Sequence, residues 1–293
     1  MDTGGLHLLT EATVAGSNPT VRMRQLGMEL RRLREAARKT QAQAGHWLNL
    51  GETAISKMET GDRKVKVGYV KALCQLYDVD APHAGFLERL ARESDQRGWW
   101  ADYGNTVPSW FKDFLGMETA AAEVWTYESE YIPGLLQTQE YVEAMAKGTA
   151  PGDAERFSKL RATRQNRLVD NDPLTLRAVL NEAVLLRPVG GPDVMRRQLR
   201  HVIETATLPN VTVQVLPFSV GFHPAMAGSF TALRFPESPM NTVYVEIKGG
   251  AIYMEKPPDV ERYTAIFERL AELALSGEET VSLLEQVERR YSS

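Results

Sequence analysis

The sequence predicts an α+β protein in which an all-α head of five helices precedes a mixed α+β body with a mainly antiparallel sheet. The chain has 293 residues, which exceeds one typical domain, so we expect two. Apolar residues recur at helical spacing through the first part, and short β-rich segments follow one another later. We therefore predict a flexible leader at 1–19, a head at 20–95 and a body at 96–293.

The composition is that of an ordinary globular protein, with 43% hydrophobic and 25% charged residues. Cys74 is the single cysteine, so an intramolecular disulfide and a cysteine metal cluster are excluded. The absence of disulfides is typical of proteins in a reducing cytoplasm. No apolar run approaches the roughly 20 residues that span a bilayer. The leader carries Asp2 and Glu11 and lacks a basic start, which does not fit a signal peptide.

The net charge of −4 is distributed unevenly along the chain. Residues 20–81 contain twelve Lys and Arg against seven Asp and Glu, whereas residues 82–293 carry a net charge of −7. A basic head on an acidic body indicates a module that binds a polyanion, attached to one that does not. A chance surplus on a solvated face is the alternative.

The first two helices of the head are predicted from their apolar spacing and one cap. Leu26, Leu30, Leu33 and Ala37 recur at helical spacing, and arginines fill the other faces. Thr40 offers a side-chain oxygen as N-cap for the next segment, QAQAGHWL. The spacing therefore predicts two consecutive helices with a sharp boundary between them.

A tight turn and a third helix follow. Asn49 adopts a left-handed backbone more easily than most residues, and Gly51 then opens the helix ETAISKME. The pair Thr60-Gly61 is a helix-stop signal. Two further amphipathic segments, VGYVKALCQLYDVD and APHAGFLERLARESD, complete the five predicted helices.

Gly45 lies inside the second predicted helix, where glycine costs roughly 0.5–1 kcal/mol relative to alanine. We interpret it as a point where another helix crosses closely. Ile55 and Met58 are the apolar residues of the third helix that could pack onto Trp47, Leu48 and the first helix. A small residue, a turn residue and two apolar anchors at these spacings are typical of a helix-turn-helix.

These residues carry a resemblance to a known family. The segment from Val21 to Asp80 resembles the Cro/phage-repressor type of helix-turn-helix domain, often called the XRE family. Thr40 and Gln41 match the start of the second helix, and the run from Ile55 to Gly61 matches the end of the third. An ordinary helical hairpin is the alternative reading of the same pattern.

The resemblance implies a role for each of several polar residues. Gln41, the first residue of the second helix, is implied to meet a phosphate, and the outer face of the third helix to meet base edges. Basic residues after the third helix are implied to meet the DNA backbone. The implied DNA-binding residues are Gln41, Glu52, Thr53, Ser56, Lys57, Arg63 and Lys64.

Glu52 departs from the family pattern, in which neutral or basic residues are commoner at that position. Its carboxylate can accept a hydrogen bond from a cytosine amino group, pair locally with Lys57 or Arg63, or interact with the helix dipole. We favour the dipole, combined with discrimination against unsuitable DNA sites. Gly51 also departs, since the family often has serine or threonine there as the cap.

The body is predicted to alternate helices with short strands. The predicted helices lie at about 108–116, 137–147, 153–169, 192–206, 258–275 and 278–290. The predicted strands lie at about 122–127, 174–180, 211–216, 229–235, 242–247 and 251–254, the last four favouring consecutive antiparallel hairpins. Four aromatic residues, Trp99, Trp100, Tyr103 and Trp110, predict a docking surface between head and body, and a wall of a pocket is the alternative.

The body offers little that indicates catalysis. The loop from Pro188 to Pro192 lacks the lysine of a phosphate-binding loop and is typical of a helix entry. Glu182, Arg187, His223 and Glu246 are the polar residues that an enzyme would use, but no spacing links them. We therefore predict no catalytic residues, no metal site and no cofactor.

Several phrases of the body, among them WWADYG, YIPGLLQTQEYVEAM, HPAMAGSF and VYVE, carry a second resemblance. They resemble the C-terminal domain of a large actinomycete family of regulators described as antitoxin-like, often paired with a small protein encoded nearby. The resemblance implies an antitoxin-like transcription regulator. Together with the helix-turn-helix, the charge asymmetry and the single cysteine, it leads us to expect a cytoplasmic regulator that binds double-stranded DNA, forms a homodimer through its body and receives a signal from a small protein partner or a ligand. A protein that mainly sequesters a partner, or an enzyme in the body, are the alternatives.

The last predicted helix bears on how such a dimer would form. It places Val281, Leu284, Val287 and Tyr291 on one stripe. An amphipathic helix more often covers its own domain than an interface, so we expect this stripe to be core.

Overall fold

A computed structural model describes residues 21–93, 103, 107–149, 151–235 and 241–291. The chain divides into two compact units between residues 96 and 97, which we call the N-terminal and C-terminal units. The predicted leader and the predicted aromatic residues Trp99 and Trp100 lie outside the described residues. Within the described residues, no helix is long and apolar enough to cross a membrane.

The N-terminal unit is all-α, as predicted, and has five helices in its described residues. They are α1 (Val21–Ala36), α2 (Gln41–Trp47), α3 (Glu52–Glu59), α4 (Val67–Leu76) and α5 (Ala81–Glu93). One apolar core joins them, with Leu26 and Leu30 of α1, Ile55 and Met58 of α3 and Leu87 of α5 almost fully buried. The helical spacing of these residues is what puts them on the inner faces.

The C-terminal unit is mixed α+β. Its helices are α6 (Ser109–Ala120), α7 (Gln139–Thr149), α8 (Ala154–Gln165), the short α9 (Ala183–Leu186), α10 (Pro192–Thr205), α11 (Pro257–Leu273) and α12 (Gly277–Arg290). Its strands are β1 (Glu123–Glu128), β2 (Thr175–Asn181), β3 (Val211–Leu216), β4 (Phe230–Arg234), β5 (Thr242–Ile247) and β6 (Gly250–Met254). All six predicted strands are present, and α9 is the helix that the periodicity did not predict.

The strands form one mixed sheet in the order β3-β2-β1-β4-β5-β6. The strands β4, β5 and β6 make the expected antiparallel hairpins, and β4 also pairs antiparallel with β1. The expectation was wrong for β3, which pairs parallel with β2 at the far edge, while β2 pairs parallel with β1. The helix α10 lies between β2 and β3 and supplies the long crossover that a parallel pair requires.

The two faces of this sheet differ in chemistry. On one face, Trp125 and Tyr127 of β1 and Val179 of β2 pack with Phe267 of α11 in an apolar core. Because side chains alternate along a strand, Thr126 and the other even-numbered residues of β1 point to the opposite face, on the side of α6 and α8. That second face carries the cavity described below.

The last helix belongs to the core of its own unit, as expected. Leu284 and Val287 of α12 are buried, and the helix packs against α10 and β3. Thr280 accepts a hydrogen bond from the backbone of Val215, and Tyr291 donates to the carbonyl of Leu185. The apolar stripe of α12 is therefore used inside the unit.

Candidate functional site

The start of α2 is fixed by the cap that the sequence predicts. Thr40 Oγ1 accepts a hydrogen bond from the backbone nitrogen of Gln43 at 3.1 Å, and Gln43 Oε1 accepts one from the backbone nitrogen of Thr40 at 2.9 Å. This reciprocal pair satisfies two donors that a helix start would otherwise leave open. It determines where the first helix of the motif begins.

The turn between α2 and α3 is compact. Asn49 has a φ of 54°, as expected, and the nitrogen of Leu50 donates to the carbonyl of Gly45 at 2.8 Å. A Cβ atom on Gly45 would lie 2.7 Å from the carbonyl oxygen of Leu50. The same Cβ would lie 3.4 Å from the backbone nitrogen of Glu52, the first residue of α3. The expected close approach of another helix is thus present at the start of α3, although the nearest atom belongs to the turn.

The apolar anchors of the motif are only partly those expected. Ile55 and Met58 are buried as predicted, but Trp47 is 53% exposed and is not part of the core. Its indole nitrogen donates to the carbonyl of Ala72 in α4 at 3.0 Å. Trp47 is the last residue of the short α2, so its ring reaches sideways to α4 and keeps its polar edge satisfied.

A buried ion pair, which the sequence pattern did not predict, ties the motif to the first helix. Arg34 of α1 donates to both carboxylate oxygens of Glu59 in α3, at 2.6 and 3.0 Å. Arg34 also donates to the carbonyl of Lys39, and the Gln41 amide donates to Glu59 at 2.8 Å. Arg34 is one arginine among several on α1, and no local pattern distinguishes it from the exposed ones.

Most of the predicted DNA-binding residues lie on accessible surface. Glu52, Thr53 and Lys57 are exposed on α3, and Ser56 is half-buried between them and the core. The basic residues Arg63 and Lys64 are exposed directly after α3. Because residues three and four apart share a helix face, Thr53, Ser56 and Lys57 present one continuous polar surface.

Gln41 and Glu52 lie at the N-terminal ends of α2 and α3. Gln41 is half-buried, and one of its amide hydrogens is donated to Glu59. Glu52 is the first residue of α3, and among the described residues neither Lys57 nor Arg63 forms an ion pair with it. Of the three interpretations of Glu52, the local ion pair is thus absent, whereas its position suits the helix dipole.

The four polar residues of the body that an enzyme would need make no hydrogen bond or ion pair with one another in the described part of the chain. Glu182 accepts a hydrogen bond from the backbone of Phe218 at 2.8 Å, and Arg187 pairs with Glu130 at 2.8 Å on the surface. His223 is buried against Tyr127, and burial lowers its pKa. Among the described residues, no group of His, Cys, Asp and Glu could hold a metal ion.

Glu246 belongs instead to a cavity of about 670 Å³ in the C-terminal unit. The second face of the sheet forms its floor, through Thr126 and Glu128 of β1, Thr231 of β4 and Tyr244 of β5. The register pairs Thr126 with Thr231 and Thr231 with Tyr244, so these side chains lie side by side. The sequence pattern did not predict this site, although the alternating polar residues of VWTYE and VYVEI were a signal for it.

Two comparisons with known families bear on the two units. A family model described as a helix-turn-helix domain matches residues 25–86. A second, described as a domain of unknown function (DUF5753), matches residues 111–286. No curated protein and no solved structure matches the chain.

Proposed function

The chain belongs to the DUF5753 family, and we propose that it is a sequence-specific DNA-binding transcription regulator whose C-terminal unit dimerises and senses a small protein partner or a ligand. The matched helix-turn-helix domain indicates DNA binding. The function of the DUF5753 domain is unknown, so regulation, dimerisation and sensing are our proposal.

The exposed polar face of α3 is the observation that carries this proposal. The side chains of Thr53 and Lys57 are exposed on α3. Because the major groove of B-DNA is wide enough for one α-helix, α3 can enter the groove and bring these side chains to the base edges. Arg63 and Lys64 follow α3 where backbone phosphates would run beside it. The basic surplus of residues 20–81 supplies the attraction to a polyanion.

The C-terminal unit suits a dimer in this proposal because repressor-type domains act on half-sites about one helical turn apart. Its resemblance to antitoxin-like actinomycete regulators favours a small protein partner. A chain that mainly sequesters such a partner is the alternative, and co-purification with the neighbouring gene products distinguishes the two. If a partner binds and DNA does not compete with it, sequestration is favoured.

We also infer that the C-terminal unit is not an enzyme. Glu182, Arg187, His223 and Glu246 have separate local partners, which does not favour a shared reaction centre. In the N-terminal unit, burial raises the pKa of Cys74 to about 11, so this thiol is a poor nucleophile at neutral pH.

A mobility-shift titration tests the DNA contacts, with duplexes selected by the unaltered protein from a random pool. We expect the double variant Arg63→Ala/Lys64→Ala to bind all duplexes more weakly, with a salt slope smaller by about 1 for each phosphate that the protein no longer neutralises. Lys57→Ala should instead change sequence preference, by about 1–3 kcal/mol at one position. Lys256→Ala, at an exposed lysine of the C-terminal unit, is the control.

Unchanged binding by both variants would overturn the contact assignment. An equal decrease in affinity for every duplex in Lys57→Ala would move this residue from base reading to backbone contact. Absence of any sequence-selected duplex would overturn the proposal of a sequence-specific regulator.

A further inference from the structure

The floor of the cavity in the C-terminal unit carries polar groups where a sheet covered by helices normally has apolar ones. Thr126, Glu128 and Thr231 are each at least nine-tenths buried. The two threonine hydroxyls satisfy each other at 3.1 Å. Buried polar side chains destabilise a fold unless they are paired, so Glu128 is the residue of this floor that needs an explanation.

Glu128 is the group that packing does not explain. Its side chain lines the cavity and its residue is 8% exposed, yet Oε2 has no hydrogen-bond partner. Among the described residues, neither Glu128 nor Glu246 has an ion-pair partner. The buried Arg164 at the same cavity is neutralised by Glu118, which it contacts at 2.6 and 2.7 Å, although Arg164 Nη1 has no hydrogen-bond partner.

Aromatic rings form the wall beside these carboxylates. The rings of Phe114 and Tyr244 have centroids 4.4 Å apart, and Phe111 stacks on Phe114 at 5.5 Å. The Tyr244 hydroxyl donates to Glu246 at 3.1 Å, which joins the wall to the exposed carboxylate at the rim. The guanidinium of Arg164 already lies over the Phe111 and Phe114 rings, at 5.6 and 5.4 Å from their centroids, so these rings offer a ligand apolar contact. The carboxylates are the groups that attract a further cation.

We propose that this cavity binds a small organic cation, an amine or quaternary ammonium attached to an apolar body, whose charge lies between Glu128 and Glu246. The cavity volume of about 670 Å³ is in the range of small-molecule sites. The inference rests on the proposed function in one respect, because it names the class of ligand that the regulator senses.

The charge state of Glu128 gives the site a pH dependence. Burial raises its pKa to about 8, and the Glu246 carboxylate adds to this rise while the Ser229 hydroxyl opposes it. A bound cation would favour the ionised form, so binding at neutral pH releases a proton and tightens as the pH rises towards 8.

The other groups that interact with these two carboxylates do not titrate in that interval. Burial raises the pKa values of Tyr127, Tyr131 and Tyr141, which interact with Glu128, and these tyrosines stay neutral. The positive charge of Arg164 partly opposes the rise in the pKa of Glu246. Burial also raises the pKa of Glu246 itself, so the pH dependence of cation binding reports on the two carboxylates together.

Calorimetric titration of the full chain without DNA tests the ligand class, using three probes of one shape. These are tryptamine, its neutral analogue tryptophol and its anionic analogue indole-3-propionate. We expect tryptamine to bind with an affinity about tenfold or more above either analogue, as one cation contact of this kind provides. Equal or tighter binding of an analogue, or no binding of tryptamine at millimolar concentration, would overturn the proposal.

The double variant Glu128→Gln/Glu246→Gln removes both charges and keeps the side-chain volume. It should lose at least most of the preference for tryptamine over tryptophol, and the pH dependence with it. Glu285→Gln, at an exposed carboxylate of α12, is the matched control and should bind as the unaltered chain does. Unchanged tryptamine binding in the double variant would refute the assignment.

The outcome separates this inference from the proposed function. If the double variant does not fold, as judged by circular dichroism, the three-probe comparison on the unaltered chain still decides the ligand class. Failure of tryptamine to bind leaves sequence-selective DNA binding intact, whereas absence of selective DNA binding leaves cation binding intact. If tryptamine binds but does not change the affinity of the protein for a selected duplex, the cavity is a cation-binding site, and the proposal that the regulator senses this ligand is wrong.

Discussion

The buried ion pair between Arg34 and Glu59 should control the stability of the helix-turn-helix. We consider Glu59→Gln, which keeps the size of the side chain and removes its charge. Arg34 then remains as a cation whose side chain is only 10% exposed, and its remaining carboxylate partner is the exposed Glu35 at 3.6 Å. The variant also weakens the hydrogen bond that the carboxylate accepts from Gln41.

The magnitude follows from the geometry. Both hydrogen bonds from Arg34 to Glu59 are short, at 2.6 and 3.0 Å. The Glu59 side chain is 3% exposed, so water cannot reach Arg34 to solvate its charge once the carboxylate is removed. Removing one member of such a pair costs about 3–5 kcal/mol. Replacing both members by apolar residues, as in Arg34→Met/Glu59→Leu, should cost far less, because no charge is then left buried.

Hydrogen exchange of the full chain, followed by mass spectrometry, measures this change in α3 without interference from the C-terminal unit. A decrease of about 3 kcal/mol corresponds to a roughly hundredfold faster exchange of the most protected amides. Arg31→Met is the control, since Arg31 and its partner Glu35 are both more than half exposed and the change should cost at most about 1 kcal/mol.

Two results would refute the reasoning. Exchange in Glu59→Gln that matches the Arg31→Met control would mean that the buried pair adds nothing beyond a surface pair. A double variant as unstable as the single one would mean that the cost arises from poorer packing around the pair, and not from a stranded charge.

Three further predictions concern single substitutions. Gly45→Ala should lower the stability of the N-terminal unit by about 1–2 kcal/mol, because its Cβ would lie 2.7 Å from the Leu50 carbonyl; unchanged exchange in α3 would contradict this. Glu118→Gln should lower the stability of the C-terminal unit by about 3 kcal/mol in thermal unfolding, because it strands the buried Arg164; a change below about 1 kcal/mol would contradict it. Glu128 holds a proton in the folded state up to about pH 8 and loses it near 4.5 when unfolded, so its contribution to stability is lost as the pH rises through this interval. The melting temperatures of the unaltered chain and Glu128→Gln should therefore diverge between these pH values, and parallel curves would refute the shift.

Local patterns in the sequence were enough to predict the elements. The cap at Thr40, the left-handed Asn49 and the stop at Gly61 each depend on the chemistry of one residue and its neighbours, and all three are present. The six strands could be predicted because β-branched and aromatic residues cluster between turn residues. Their order in the sheet could not, since β3 is placed by a crossover through α10 and not by its own residues.

Errors arose where a distant segment determined the environment of a residue. Trp47 is a large apolar residue of the kind that usually lies in a core. Its indole nitrogen instead donates a hydrogen bond to the carbonyl of Ala72, so the ring lies on the surface of α4. Arg34 and Glu59 are 25 positions apart, and nothing local marks them as partners. Pairwise contacts at such separations follow from helix packing, which composition and periodicity do not specify.

The cavity depends both on a local sequence pattern and on contacts with distant segments. The alternation of polar residues in β1 and β5 was visible in the sequence, but it is equally typical of a strand with one solvated face. What distinguishes the two is whether helices cover the polar face, and this depends on α6 and α8, whose Phe114 and Arg164 line the same cavity. Glu246 was therefore considered alone as a catalytic candidate, although its relevant neighbour is Glu128, on a strand more than a hundred residues earlier. Burial raises the pKa of Glu128 to about 8 and leaves its Oε2 without a hydrogen-bond partner, which is costly for a fold that gains nothing from it and is the physical reason to test this cavity for a ligand.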